Sequence, residues 1–122
     1  LASKLGVEND FCMPGFVVNP YAYMSRASLF VMSSDYEGFG NVLVEAMACG
    51  APIISTNCPG GPAEILENGI WGELVPVGDL KALTSSIINT FKKKNHINNS
   101  KRVNDFAIDI KIKEYIKIMF QN

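Results

Sequence analysis

Two glutamates eight residues apart, Glu37 and Glu45, stand in the stretch "DYEGFGNVLVEAMACGAPIIST" at 35–56, with Gly38, Phe39 and Gly40 between them. An apolar helix pattern surrounds the second. A carboxylate accepts two hydrogen bonds at once from a vicinal diol such as a ribose. Glycines bare the backbone to a bound group, and the free N–H groups expected on Val42, Leu43 and Val44 at the helix start favour an anion. A phosphate or diphosphate fits there. Glu45, one turn into the helix, lies beside that anion, and Glu37 faces the group beyond the phosphates. The spacing suits a ligand that is diol, diphosphate and polyol in sequence.

Plainer readings stand beside this one. A glutamate in a first helical turn answers the helix dipole, and glycine loops often only make tight turns. Asp35-Tyr36-Glu37 has the spacing of an acidic pair that holds a divalent cation, but no third ligand or histidine is nearby in sequence, so no metal and no cofactor is expected. His96, the only histidine, lies in a lysine and asparagine turn, which argues against a Cys/His nucleophile.

The elements that must position these residues alternate between strand and helix. "LASKLG" reads as a helix end stopped by Gly6, "DFCMPGFV" as a short strand entering a Pro-Gly turn, and "PYAYMSRA" as a short helix. The apolar run at 29–32 has the character of a parallel strand buried on both faces. The loop 34–40 leads to Asn41 as N-cap, then to a helix with Val42, Glu45, Ala46 and Cys49 on one face, ended by Gly50. "APIIST" is the next buried strand, completing a βαβ unit with parallel strands and a right-handed crossover. "NCPGGP" is a second glycine-rich turn, "AEILE" a short helix, and "WGELVPV" an extended piece. Asp79 caps an amphipathic helix whose buried side is Leu80, Leu83, Ile87, Ile88 and Phe91. The final helix, 110–120, carries a stripe of Ile112, Tyr115, Ile116, Met119 and Phe120, which must pack on the sheet, find a second copy or stay mobile.

The chain has 122 residues, 48% of them apolar, and a net charge of −1. That suits one α/β core in a soluble chain. There is no apolar run of membrane-spanning length and no secretory layout, and the absence of an initial methionine suggests a piece of a longer protein. Three cysteines without C-x-x-C spacing point to neither zinc nor disulfides and suit a cytoplasmic setting. Charge is divided: residues 1–91 carry three basic against nine acidic residues, and residues 92–122 carry eight against three. The organisation expected is a domain at 1–91 and a basic helical tail at 92–122. The tail leaves room for peripheral association at the inner face of a membrane. Lacking interleaved aromatics and further arginines, "KKKNH" does not indicate nucleic acid.

"SSDYEGFGNVLVEAMACGAPIIST" followed by "GGPAEIL" resembles the E-x7-E region of the family 4 (group 1) retaining glycosyltransferases. "GVENDFCMPGFV" and "GELVPVGD" are similar to that family's flanking strands. The resemblance covers about three quarters of the chain. It implies a Rossmann-like parallel sheet flanked by helices, the partial C-terminal donor-binding domain of a GT-B enzyme. It implies transfer, with retention, of a sugar from a nucleoside diphosphate sugar, expected to be a UDP-sugar, to a saccharide or lipid-linked acceptor in polysaccharide or glycolipid biosynthesis.

By the same resemblance Glu45 holds the donor ribose, and Glu37 contacts the transferred sugar as the catalytic-site carboxylate. Gly38, Phe39, Gly40, Asn41 and Val42 line sugar and diphosphate, Gly15 and Phe16 lie near the base, and Gly60 and Gly61 are architectural. The arginine and lysine that neutralise the diphosphate in such enzymes match no segment of this sequence, and neither does the acceptor half, so these residues alone are expected to be inactive. The alternative is a non-catalytic nucleotide-sugar-binding module that works with a separate partner half. Self-association through the C-terminal helix is a further expectation.

Overall fold

Three short apolar runs form the centre of the fold in a computed structural model that describes residues 1–93 and 100–120. Strands β1 (Phe30–Met32), β2 (Ile53–Thr56) and β3 (Glu73–Val75) make one parallel sheet in that order, with Phe30 opposite Ile53 and Ile54 opposite Glu73. Every residue of β2 is buried, as a central strand with both faces covered requires. The apolar run 29–32 is a strand, but it lies at an edge among the described residues. Val31 is therefore 38% exposed, and the expectation of burial on both faces fails there.

Short helices α1 (Ala2–Leu5) and α2 (Tyr21–Met24) precede the sheet, and α1 stops at Gly6 as its sequence implies. No strand forms at 11–18. A strand needs a partner for its backbone groups, Pro14 lacks an N–H, and among the described residues no strand pairs with this segment, so Phe11, Phe16 and Val18 stay exposed.

Helix α3 (Asn41–Ala48) joins β1 to β2. Its N-cap is Gly40, in a left-handed conformation with φ 88°, and Asn41 is already helical and makes no capping bond. The expected cap thus sits one residue too late. Its buried residues are Leu43, Ala46 and Met47, whereas Val42, Glu45 and Cys49 lie half-buried on the flank. The shift follows from packing: the stripe that faces the sheet and α4 (Pro62–Ile65) is the one without a charge. The N–H groups of Gly50 and Ala51 return to the carbonyls of Met47 and Ala46 at 3.0 and 3.1 Å, closing the helix before β2.

Asp79 caps α5 (Leu80–Lys92) as expected, its carboxylate accepting from the Ala82 N–H at 2.9 Å. The face turned to β2 and β3 is Ala82, Leu83, Ser86 and Ile87, while Leu80, Ile88 and Phe91 are exposed. Small Ala82 and Ser86 let the helix approach the strands closely, which turns the larger residues at the stripe's margins outward. Of the lysine and asparagine turn at 92–101, residues 94–99 with His96 lie outside the described residues.

Helix α6 (Ser100–Asn104) packs on α3, and Val103 and Phe106 lie against the core. Arg102, a residue to which the sequence pattern gives no role, is the connection. Its side chain is 16% exposed, its Nε donates to the Ile65 carbonyl at 3.0 Å, and its Nη2 donates to the Glu64 carbonyl. It also pairs with Asp105 at 3.0 Å and lies 4.7 Å from the centre of the Phe106 ring. Helix α7 (Ile108–Met119) follows, and its apolar stripe of Ile112, Tyr115, Ile116 and Met119, with Phe120 beyond it, is exposed and does not cover the sheet.

The guanidinium fork satisfies two carbonyls at the end of α4 at once, a geometry that a single ammonium does not reproduce. Arg102→Ala is expected to lower stability by about 2–3 kcal/mol, and Arg102→Lys to recover less than half of the loss. Urea denaturation of the three chains measures this, and equal stability of the Lys variant and the parent would refute the fork.

Candidate functional site

The loop after β1 holds Glu37 by three links. Its N–H donates to the Pro59 carbonyl at 3.1 Å, and its Oε1 accepts from Ser34 Oγ at 2.6 Å. The Ser34 carbonyl accepts in turn from Thr56 Oγ1, at the end of β2, at 2.5 Å. A relay from Thr56 through Ser34 therefore sets the half-buried carboxylate between two strand ends. Ser34 and Thr56 are absent from the residues singled out by sequence. The signal for the first was its place three residues before Glu37, within reach across a turn.

Gly60 and Gly61 bring the second turn onto this loop. A Cβ on Gly60 would stand 1.7 Å from the Glu37 carbonyl oxygen, and one on Gly61 would stand 1.9 Å from that of Phe39. Both have positive φ, 94° and 123°. These glycines are architectural: they let two backbones touch.

At the start of α3 the Leu43 N–H already bonds the Gly40 carbonyl at 2.9 Å. The N–H groups open to an anion are thus those of Asn41 and Val42, one residue earlier than the sequence pattern placed them. Glu45 is half-buried one turn further on, and its carboxylate has no hydrogen bond or ion pair among the described residues. Among the described residues Glu37 is pre-bonded and Glu45 has no partner.

Glu37, Gly38, Phe39, Gly40, Asn41, Val42 and Glu45 thus come together on one loop and one helix start. The Phe39 ring turns inward to meet Phe106 edge-on, with centroids 6.0 Å apart and planes at 62°. Gly15 and Phe16 are not brought to this group: Phe16 is 94% exposed and nothing lies within 4 Å of a Cβ placed on Gly15. Asp35 is exposed, and among the described residues no three His, Cys, Asp or Glu side chains converge as metal ligands would.

Among the described residues, cavities lie on either side of the loop. One of about 200 Å³ lies at the carboxyl ends of the strands, between Asp35, Thr56 and Asp79. The other, of about 490 Å³, lies between Phe39, Asn41 and Val44 on one side and Phe106 and α7 on the other. In its wall Lys111 donates to Glu114 at 2.8 Å, and that hydrogen bond holds the ammonium above the usual lysine range. No helix among the described residues is long and apolar enough to cross a membrane.

The profile of the family described as "Glycosyl transferases group 1" matches residues 1–107. Over 77 residues the chain is 36% identical to the N-acetylgalactosamine-N,N'-diacetylbacillosaminyl-diphospho-undecaprenol 4-alpha-N-acetylgalactosaminyltransferase of Campylobacter jejuni, which covers 63% of this chain and 21% of that protein. It is 35% identical over 92 residues to the N-acetyl-alpha-D-glucosaminyl L-malate synthase of Bacillus anthracis, covering 75% of this chain and 24% of that one. Among solved structures, Anabaena HepE in complex with UDP superposes with a TM-score of 0.81 at 27% identity, over 95% of this chain and 34% of that one. The chain thus spans between a fifth and a quarter of these two relatives and about a third of the solved neighbour.

The contact between the two loops gives a direct test. Gly61→Ala is expected to cost about 3 kcal/mol or more, because backbone must move against backbone, whereas Gly38→Ala, with open space around it, should stay within about 1 kcal/mol of the parent. Thermal denaturation of both variants measures the difference, and equal melting temperatures would refute the contact.

Proposed function

Because the chain belongs to the group 1 glycosyl transferases, with the parallel α/β fold of the GT-B enzymes, we propose that it is the donor-binding half of a retaining transferase acting on a UDP-sugar. The observation that carries this reading is the joint placement around one helix start of Glu37, the N–H groups of Asn41 and Val42, and Glu45, the last two without partners among the described residues. The UDP held by the Anabaena neighbour supports the nucleotide.

In this reading Glu45 accepts the two ribose hydroxyls, the N–H groups of Asn41 and Val42 meet the diphosphate, and Gly38 to Gly40 admit the sugar beside Glu37. Glu37, fixed by Ser34, contacts the sugar hydroxyls. The bond from the anomeric carbon to the phosphate oxygen breaks as the acceptor oxygen adds on the same face, and the acceptor proton passes to the leaving phosphate. Helix N–H groups stabilise the charge that develops there. No metal is needed. The acceptor, a saccharide or lipid-linked chain of polysaccharide or glycolipid assembly, is held by another half, and the basic residues that meet the diphosphate come from outside residues 1–122. Alone, these residues bind UDP weakly and transfer nothing, and the exposed stripe of α7 lets copies associate.

Calorimetry of UDP against a dideoxy analogue tests the ribose contact. Glu45→Ala should cost the ribonucleotide about 1.5–3 kcal/mol and the analogue much less, with Glu45→Gln intermediate. Equal losses would remove Glu45 from the diol. EDTA should leave affinity unchanged, and a strong loss restored by manganese would overturn the metal-free reading. A sedimentation series should show mass rising with concentration, and falling to monomer when the chain is truncated near Asn104.

A further inference from the structure

The turn between Glu37 and the body of α3 carries the groups on which the donor reading depends, yet its own backbone does little to fix it. Among the described residues no N–H from Gly38 to Val42 donates to another backbone group. Gly38 has open space around it, and Gly40 stands at φ 88°. Glycines on both sides of one residue leave the backbone free to pivot there. Phe39 is that residue, and its ring is the side chain between them by which the turn can be fastened.

The fastening comes from the segment after α6. The Phe39 ring meets Phe106 with centroids 6.0 Å apart and planes at 62°, an arrangement that aromatic pairs favour. Phe106 packs on the core beside Val103, and the Arg102 guanidinium lies 4.7 Å from the centre of its ring. Arg102 donates to the carbonyls of Glu64 and Ile65, at the far end of α4. The near end of α4 starts at Gly61, whose backbone lies so close to the Phe39 carbonyl that a Cβ would overlap it. Phe39 is therefore gripped twice from one short helix: at its carbonyl directly, and at its ring through Arg102 and Phe106. One grip would leave the turn free to rotate about the glycines. Two fix its orientation.

We propose that Phe106 is a positioning residue for the site: through the Phe39 ring it fixes the turn that sets the N–H groups of Asn41 and Val42 against Glu37, and Arg102 fixes Phe106. That these groups meet a nucleotide sugar rests on the donor reading above, whereas the hold on the turn does not. Order supplied in advance by Phe106 is order that a ligand does not have to impose on binding.

The test uses the 122-residue chain. Heteronuclear NOEs, which report picosecond-to-nanosecond order and do not respond to ring currents, are measured without ligand for the amides of Gly38 to Asn41. In the parent they should match those of Ala46 and Met47 inside α3. Phe106→Leu keeps apolar bulk and loses the ring, with Phe106→Met as the second variant should the first not fold. The values of the turn should fall while those inside α3 hold. Phe106→Tyr, whose hydroxyl can enter the cavity that Phe106 lines, should restore them. UDP affinity should follow, falling about three- to tenfold in Phe106→Leu and returning in Phe106→Tyr. In a Phe39→Leu background, Phe106→Leu should cost UDP nothing more, because the ring it acts through is already gone. Unchanged order of the turn in Phe106→Leu and Phe106→Met, or losses of affinity that add in the double variant, overturns the proposal. Unchanged order in Arg102→Lys removes Arg102 from the chain of contacts. If UDP fails to bind the parent at millimolar concentration, the donor reading falls, and the NOEs decide the hold on the turn by themselves.

Discussion

The contact of the turn 59–61 with the loop 37–39 is the constraint on which the site depends. Two strand-end loops meet backbone to backbone, at a distance where even one methyl group on Gly60 or Gly61 would overlap a carbonyl oxygen. The Glu37 N–H bonded to Pro59 and the Thr56 to Ser34 to Glu37 relay are built on that approach. Without it the end of β2 would no longer reach the loop after β1, and Glu37 would hang from a flexible segment. The fully buried β2 supplies the fixed point, since its four residues are clamped between β1 and β3.

What was legible in the sequence was local. The βαβ unit, the Asp79 cap and the closing of α3 before β2 are each decided by residues within one turn or one strand pair, so type and spacing suffice. The failures share another cause. Whether 11–18 forms a strand depends on a partner, not on its apolar residues, and Val31 is exposed because of what does not lie beside it. The buried faces of α3 and α5 differ from the expected ones for two reasons: on α3 the buried stripe is rotated to Leu43, Ala46 and Met47, away from the charge of Glu45, and on α5 the small Ala82 and Ser86 face the strands, a preference that periodicity alone does not register. Asn41 has the residue type of a cap, but the left-handed turn belongs to Gly40.

The division of charge was the most misleading signal. Eight basic residues in 92–122 suggest a separate solvated tail, and most of them are lysines that suit that reading. Arg102 does not. Its charge is held by the carbonyls of Glu64 and Ile65, by Asp105 and by the Phe106 ring, so it binds the tail to the acidic body. Phe106 then carries the contact on to Phe39, in the loop of the site itself. A single side chain with five donors thereby links the helix after the second turn to the loop before α3.

In the proposed reading, the electrostatics of the loop call for cations that the loop itself does not carry. Glu37 and Glu45 flank the place of the diphosphate in the proposed reading, and Asp35 stands two residues before Glu37. The basic residues of 1–91 are elsewhere: Lys4 on α1, Arg26 after α2 and Lys81 on α5. A like charge at about 4 Å costs about 1 kcal/mol in water and about 4 at an effective dielectric of 20. A helix N-terminus returns only about 0.3–1 kcal/mol. Two open N–H groups therefore do not offset two carboxylates, whose own gain comes from hydroxyls and not from phosphate. In the proposed reading, a donor that carries two phosphates therefore needs cations that face this loop from outside it.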